Sequence, residues 1–168
     1  PADHPLIVHV ASAAQVDDFA AEVPGFAQAL IDAFWPGPLT LILPRRAGVA
    51  EAAAGGHATV GLRCPSHPVA QALLAACAAR GVRGLAAPSA NRFGRVSPTT
   101  AQHVAQEFGD ALRVLDGGPC DVGIESTIVD CTRGAPVLLR PGQIARADIE
   151  RVTGQRLLLK NELSAPDP

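Results

Sequence analysis

The sequence has no methionine and no tyrosine, one tryptophan, and a single lysine, Lys160, among its 14 basic residues. Arginine therefore supplies nearly all the cationic chemistry, and its planar fork suits bidentate binding of carboxylate and phosphate. High Ala and Arg usage is equally what genome composition yields. A formal net charge of −2 argues against a dedicated nucleic-acid grip, which shows as a basic excess. The four cysteines, Cys64, Cys77, Cys120 and Cys131, are far apart and form no C-x-x-C pair. Neither a zinc ribbon nor a disulfide framework is suggested, and reduced, mostly buried thiols are expected. No apolar run reaches membrane-spanning length and no signal peptide opens the chain, so the default expectation is a cytoplasmic protein without a membrane role. P-loop and G-x-G-x-x-G motifs are missing, as is the nucleophile elbow G-x-S-x-G. His4, His9, His57, His67 and His103 show no metal spacing, so no metal site is expected. Starting at Pro1 without a methionine, inside a segment that already reads like a strand entry, the chain is expected to lack an N-terminal portion.

What is present fits one globular unit: 168 residues, 48% of them hydrophobic, are enough to bury a core. Pro5–Val10 (PLIVHV), Leu39–Pro44 (LTLILP) and Ala58–Cys64 (ATVGLRC) read as buried strands. Gly84–Pro88, Arg113–Asp116, Ser126–Asp130 and Pro136–Arg140 read as shorter ones. Ser12 and Gln15 fit a capping box that opens a helix with Val16 and Phe19 on one face. Pro24–Trp35 reads as an amphipathic helix stopped by Pro36-Gly37-Pro38. Pro68–Arg80 has Val69, Leu73 and Cys77 on one helical face. Ser97 and Pro98 fit the cap and first turn of a further helix, and a last short helix lies near Ala147–Val152. Ala47–His57 reads as a loop or a frayed helix. The pattern predicts an α/β domain with a twisted mixed sheet flanked by helices over residues 1–160, and a Pro-rich tail or linker from 161 to 168.

Polar residues recur at strand ends, where open α/β sheets hold ligands. Arg63 closes the third strand, Ser89 and Asn91 follow the fourth, Ser126 and Thr127 open a late strand, and Arg140 ends the next. The turn PSANRFGRVSPT supplies hydroxyls, an amide, Gly94 and a helix start, whose free N–H groups favour anions; an ordinary capped helix reads the same way. Glycine turns in DGGPCDVGIESTIVD allow close backbone approach to a ligand. Glu125 and Asp130 do not suggest an acid–base pair, because their odd separation places them on opposite faces of an extended strand.

Taken in order, HPLIVHV, FWPGPLTLIL, VGLRCPSHP, APSANRFGRVSPT, GIESTIVD and LLRPG resemble the YrdC-like domain of threonylcarbamoyl-AMP synthases, from about Pro1 to Gly142. The resemblance implies a twisted sheet around a deep, positively lined cavity. It also implies synthesis of threonylcarbamoyl-AMP and pyrophosphate from L-threonine, bicarbonate and ATP, with Mg²⁺, for a tRNA modification whose enzymes receive the adenylate. On the threonine side it implies His9, Arg63, Ser89 and Ser126. On the ATP side it implies His4, Thr59, Asn91, Thr99 and Arg140, the last as a phosphate contact. No side chain is implied as a covalent catalyst. The family's upstream P-T-E-T-V-Y-G-L motif and K-x-R pair do not occur in this sequence. Two other readings stay open: an Arg-lined module that binds RNA weakly without chemistry, and a YrdC-like carbamoyl transferase domain of a larger maturation enzyme.

Overall fold

The computed structural model describes residues 5–92, 94–120 and 125–162. The strands are β1 (Ile7–His9), β2 (Leu39–Pro44), β3 (Thr59–Arg63), β4 (Leu85–Ala86), β5 (Thr127–Asp130), β6 (Val137–Arg140) and β7 (Leu158–Leu159). The helices are α1 (Val16–Phe19), α2 (Gly25–Phe34), α3 (Pro68–Ala79), α4 (Ala101–Phe108) and α5 (Arg146–Thr153). All seven strands form one mixed sheet in the order β4-β1-β3-β2-β5-β6-β7. β1 runs parallel to β3, β2 parallel to β5, and β6 parallel to β7; β4, β3 and β6 run antiparallel to β1, β2 and β5 respectively.

Alternation along the strands gives the sheet two unlike faces. Val8, Val60, Leu62, Leu39, Leu41, Leu43 and Val129 point to one side and join Leu30, Ile31 and Ile149 of α2 and α5 in a single buried cluster. Each such side chain stabilises the fold by about 1.5–3 kcal/mol relative to exposure. The opposite face holds Ile7, His9, Arg63, Ile42 and Ile128, all only partly buried. Gly61 lies among them: a Cβ there would meet Ile42 Cδ1 at 3.2 Å, with Ile7 and Thr40 close behind. Removing one side chain from the middle of the sheet keeps that face low between its ends.

The mixed sheet, β2, β3 and the position of α2 agree with the sequence reading, while β1 keeps only Ile7–His9 of the expected Pro5–Val10. Elsewhere local chemistry shifted the boundaries. Ser12 makes no capping hydrogen bond and only a short 3-10 turn precedes the four-residue α1. The return bond of the expected box is also displaced, since Gln15 Oε1 accepts from the Ala11 N–H at 2.7 Å and not from that of Ser12. The cap of α4 is Thr100, whose hydroxyl accepts from the His103 N–H at 3.1 Å, so Ser97 and Pro98 lie in the preceding loop. Residues 113–116 pair with no strand, and β7, too short for a period-two pattern, was not foreseen. On α3, Leu74 is buried while Leu73 is 44% exposed, the reverse of the apolar stripe's prediction. That stripe borders a shallow apolar hollow with Leu115 and Gly117 instead of the main core. No helix of the described residues is long and apolar enough to cross a membrane. His4, Gly123 and the tail Ser164–Pro168 lie outside the described residues.

Candidate active site

Strand direction brings distant parts of the sequence to one edge of the open face. Parallel β1 and β3 finish together, with His9 opposite Arg63. Antiparallel β2 begins at the same level, with Thr40 opposite Arg63. β5 also begins there, immediately after Ser126, and antiparallel β6 ends there with Arg140 opposite Ile128. The chain leaving β4 runs back along β1 toward its start, where the Ala87 N–H donates to the Ile7 carbonyl at 3.1 Å, and Ser89 two residues on borders the open face from the other end of β1. A cavity of about 250 Å³ results, lined by His9, Arg63, Ser89, Glu125, Ser126 and Arg140 among others.

Inside it the polar groups are tightly interlocked. Ser126 is 4% exposed, and its hydroxyl lies 2.9 Å from that of fully buried Thr40. Arg140 Nη2 donates to the Ser126 hydroxyl at 3.1 Å and to the Ser126 carbonyl at 2.9 Å, while Nε donates to that carbonyl at 3.1 Å. Arg140 Nη1 meets Glu125 Oε2 at 2.9 Å. Most donors of this guanidinium thus brace the Ser126 backbone and hydroxyl. Behind them, Gly142 fits where a Cβ would overlap the backbone of Glu125, Ser126 and Thr127. The glycine of LLRPG is therefore what lets the turn after β6 press against Ser126.

Arg63 is freer. Its Nε reaches the Gly37 carbonyl at 3.4 Å, at the long limit of a hydrogen bond. Among the described residues it has no carboxylate within ion-pair distance. Burial and the neighbouring Arg140 charge lower its pKa, which marks a cation held beside another cation and ready for an anion. His9 is held below the ordinary histidine range, first by burial and then by Arg63. Its Nδ1 lies 3.3 Å from the Ile7 carbonyl, which can only accept. The neutral ring therefore carries its proton on Nδ1 and leaves Nε2 as an acceptor.

A second cavity of about 520 Å³ lies against α4 and the loop before it, lined by Asn91, Arg95, Ser97, Thr99, His103 and Glu107 among others. Asn91 Nδ2 donates to the carbonyls of Arg92 and Arg95 at 2.9 and 3.0 Å and closes the turn. Its Oδ1 is buried without a partner among the described residues, an acceptor left for a donor group. His103 Nδ1 accepts from the Thr99 N–H at 3.4 Å and lies 3.3 Å from the Thr99 hydroxyl.

The predicted residues divide accordingly. His9, Arg63, Ser89, Ser126 and Arg140 share the sheet-face cavity, and Asn91 and Thr99 share the α4 cavity. Thr59 lines neither. It starts β3, opposite Pro44, four residues and roughly 13 Å along the strand from Arg63. Sequence reasoning passed over Thr40, Gly37 and Gly142. For Thr40 the signal was a lone hydroxyl in LTLILP; for the glycines it was their place beside proline in PGP and RPG. Asp130, weighed beside Glu125, is spent within its own turn: its carboxylate accepts from Thr132 N and Oγ1 at 2.9 and 2.6 Å and from Arg133 Nε at 3.2 Å.

Comparison with known proteins places these features among relatives. The family model Sua5_yciO_yrdC, described as telomere recombination, matches residues 1–142. A threonylcarbamoyl-AMP synthase of Pyrococcus abyssi is 46% identical over 156 residues, which cover 92% of this chain and 45% of the relative. One of Bacillus subtilis is 44% identical, over 92% of this chain and 44% of the relative. The crystal structure of P. abyssi Sua5 complexed with L-threonine is 44% identical with a TM-score of 0.87, over 95% of this chain and 46% of that one. The chain thus spans under half the length of these relatives.

Proposed function

The chain belongs to the Sua5/YciO/YrdC family, and from that premise we propose that it makes threonylcarbamoyl-AMP and pyrophosphate from L-threonine, bicarbonate and ATP. The observation that carries this reading is the convergence in one small cavity of a neutral His9, the Ser126 hydroxyl and a half-buried Arg63 that has no carboxylate partner among the described residues. A free amino acid offers the matching groups: a carboxylate for the Arg63 fork, an ammonium for His9 Nε2, and oxygens for Ser89 and Ser126. The likeness to a relative complexed with L-threonine supports the choice of amino acid.

The chemistry is one of positioning. The amine of threonine adds to bicarbonate carbon, water leaves, and a carbamate forms. A carbamate oxygen then attacks the α-phosphorus of ATP, and pyrophosphate departs. Each step brings anions together, so cations held without solvent rearrangement lower the barrier. Arg63 and Arg140 stand where the carbamate and the α-phosphate would meet. Asn91 and Thr99 serve the nucleotide from the α4 cavity, where the orphaned Asn91 Oδ1 suits an amino donor. Thr59 and His4 keep their nucleotide roles on the strength of the resemblance.

The described residues contain no group of three or more acidic, histidine or cysteine side chains fit to hold a metal. Glu125 is paired with Arg140, and Glu107 accepts from the Arg92 N–H at 3.2 Å. Mg²⁺ belongs to this reading as the ion carried by the phosphates of ATP. The adenylate passes to enzymes that modify tRNA, and the reaction belongs in the cytoplasm.

Pyrophosphate release by the intact protein tests the reading. Release that requires L-threonine, bicarbonate and ATP together is expected. Release independent of threonine points to a carbamoyl transferase, and steeply salt-dependent RNA binding without release points to a binding module.

A further inference from the structure

The hydrogen-bond polarity around Ser126 can be solved. Arg140 Nη2 donates to the Ser126 hydroxyl at 3.1 Å, and a guanidinium has no acceptor to offer in return. The other neighbour, Thr40 Oγ1, lies 2.9 Å away and is wholly buried. That hydroxyl has no other hydrogen-bond partner among the described residues, and a buried O–H left unpaired is costly. It is satisfied only by donating to Ser126. The Ser126 oxygen then accepts twice, from Thr40 and from Arg140, and its lone pairs are filled. Its own proton has one place left to go, which is the cavity.

The geometry points to Thr40 as a positioning residue that fixes Ser126 as a hydrogen-bond donor, directed at an acceptor oxygen of the bound amino acid and away from its ammonium. This rests on the amino-acid reading of the cavity. It separates two neighbours that both touch that ligand: His9 Nε2 accepts, and Ser126 Oγ donates. An amino acid has both kinds of group, so the pair selects one orientation of it. Without Thr40 the Ser126 hydroxyl is free to turn its lone pair to the cavity, and the distinction is lost.

Thr40→Val removes the hydroxyl and keeps the branched shape, whereas Thr40→Ser keeps the hydroxyl. In the pyrophosphate assay with the intact protein, Thr40→Val is expected to raise the KM for L-threonine about tenfold, the scale of one hydrogen bond. The KM for ATP and the melting temperature should stay near wild type, and Thr40→Ser should restore the threonine KM. Combined with Ser126→Ala, Thr40→Val should add nothing further, because Thr40 acts only through Ser126. An unchanged threonine KM in Thr40→Val, equal rises for threonine and ATP, or additive losses in the double variant would each overturn the assignment. Wild-type protein that neither binds nor uses L-threonine overturns the amino-acid reading and this inference with it. Threonine-dependent wild type with an indifferent Thr40→Val overturns the inference alone.

Discussion

The two cavities differ in what holds their walls. The sheet-face cavity is built from the ends of β1, β3, β5 and β6, whose register fixes His9, Arg63, Ser126 and Arg140 relative to one another. Its neighbours Thr40, Thr127 and Val129 are buried. The α4 cavity is built from a loop and one exposed helix with no buried residue, and Val96 on its rim is 92% exposed. A wall made of paired strands can hold small groups to within tenths of an ångström, as a reaction between an amine and a phosphorus requires. A wall made of loop suits a larger ligand with several contacts, and it can move as the ligand enters and leaves. The account therefore puts the amino acid and the reacting centre in the first cavity and the body of the nucleotide in the second.

The largest break should come from Gly142→Ala, which has to displace the backbone on either side of Ser126. A loss of about 3 kcal/mol in stability is expected, with threonine use reduced far more than a surface variant reduces it. Thermal unfolding and the threonine KM check this, and an unaltered pair of values would show that the turn has room. Arg140→Ala should come next. It is expected to lower kcat/KM for ATP about 10- to 100-fold, as for the loss of a charged hydrogen-bond donor, with only a small fall in melting temperature. Equal losses in ATP use and stability would make Arg140 a brace for Ser126 and nothing more. Asn91→Ala should be milder, raising the KM for ATP severalfold while threonine affinity stays constant; a threonine effect of equal size would merge the two cavities into one site.

The smallest effect concerns pH. Folded His9 is held neutral by burial and by Arg63, with Arg140 and Glu125 lining the same cavity. The unfolded chain takes up its proton near pH ~6.5, before the folded chain does. Stability should therefore fall as pH drops from about 6.5 toward the lowered folded value, then level off. His9→Asn should flatten that stretch of the curve. Denaturant unfolding at several pH values checks it, and parallel curves for both proteins would contradict the assigned burial.

How far the sequence could be read follows the same division. Strands β1, β2 and β3 were legible because β-branched and leucine runs mark PLIVHV, LTLILP and ATVGLRC, and strand-end Arg63 and Arg140 stood out against apolar neighbours. Whether those ends meet is set by strand order and direction, which no local pattern records; resemblance to a family supplied that step. Thr40 was missed because a threonine in a strand is ordinary, and its significance lies in Ser126, 86 residues away. Around α4 the choice of Thr100 over Ser97 as the cap turned on one hydrogen bond to His103. Several hydroxyls in SPTT offered the same local chemistry. Thr59 was placed by the resemblance alone, and the strand sets it on the open face four residues from Arg63.

The most direct test of the central claim is calorimetric titration of L-threonine into intact wild type, Arg63→Gln and Asn91→Ala. The account predicts that Arg63→Gln weakens threonine binding by about tenfold or more, while Asn91→Ala binds it as wild type does. Unchanged affinity in Arg63→Gln, or a loss confined to Asn91→Ala, would place the amino acid outside the sheet-face cavity and contradict the account.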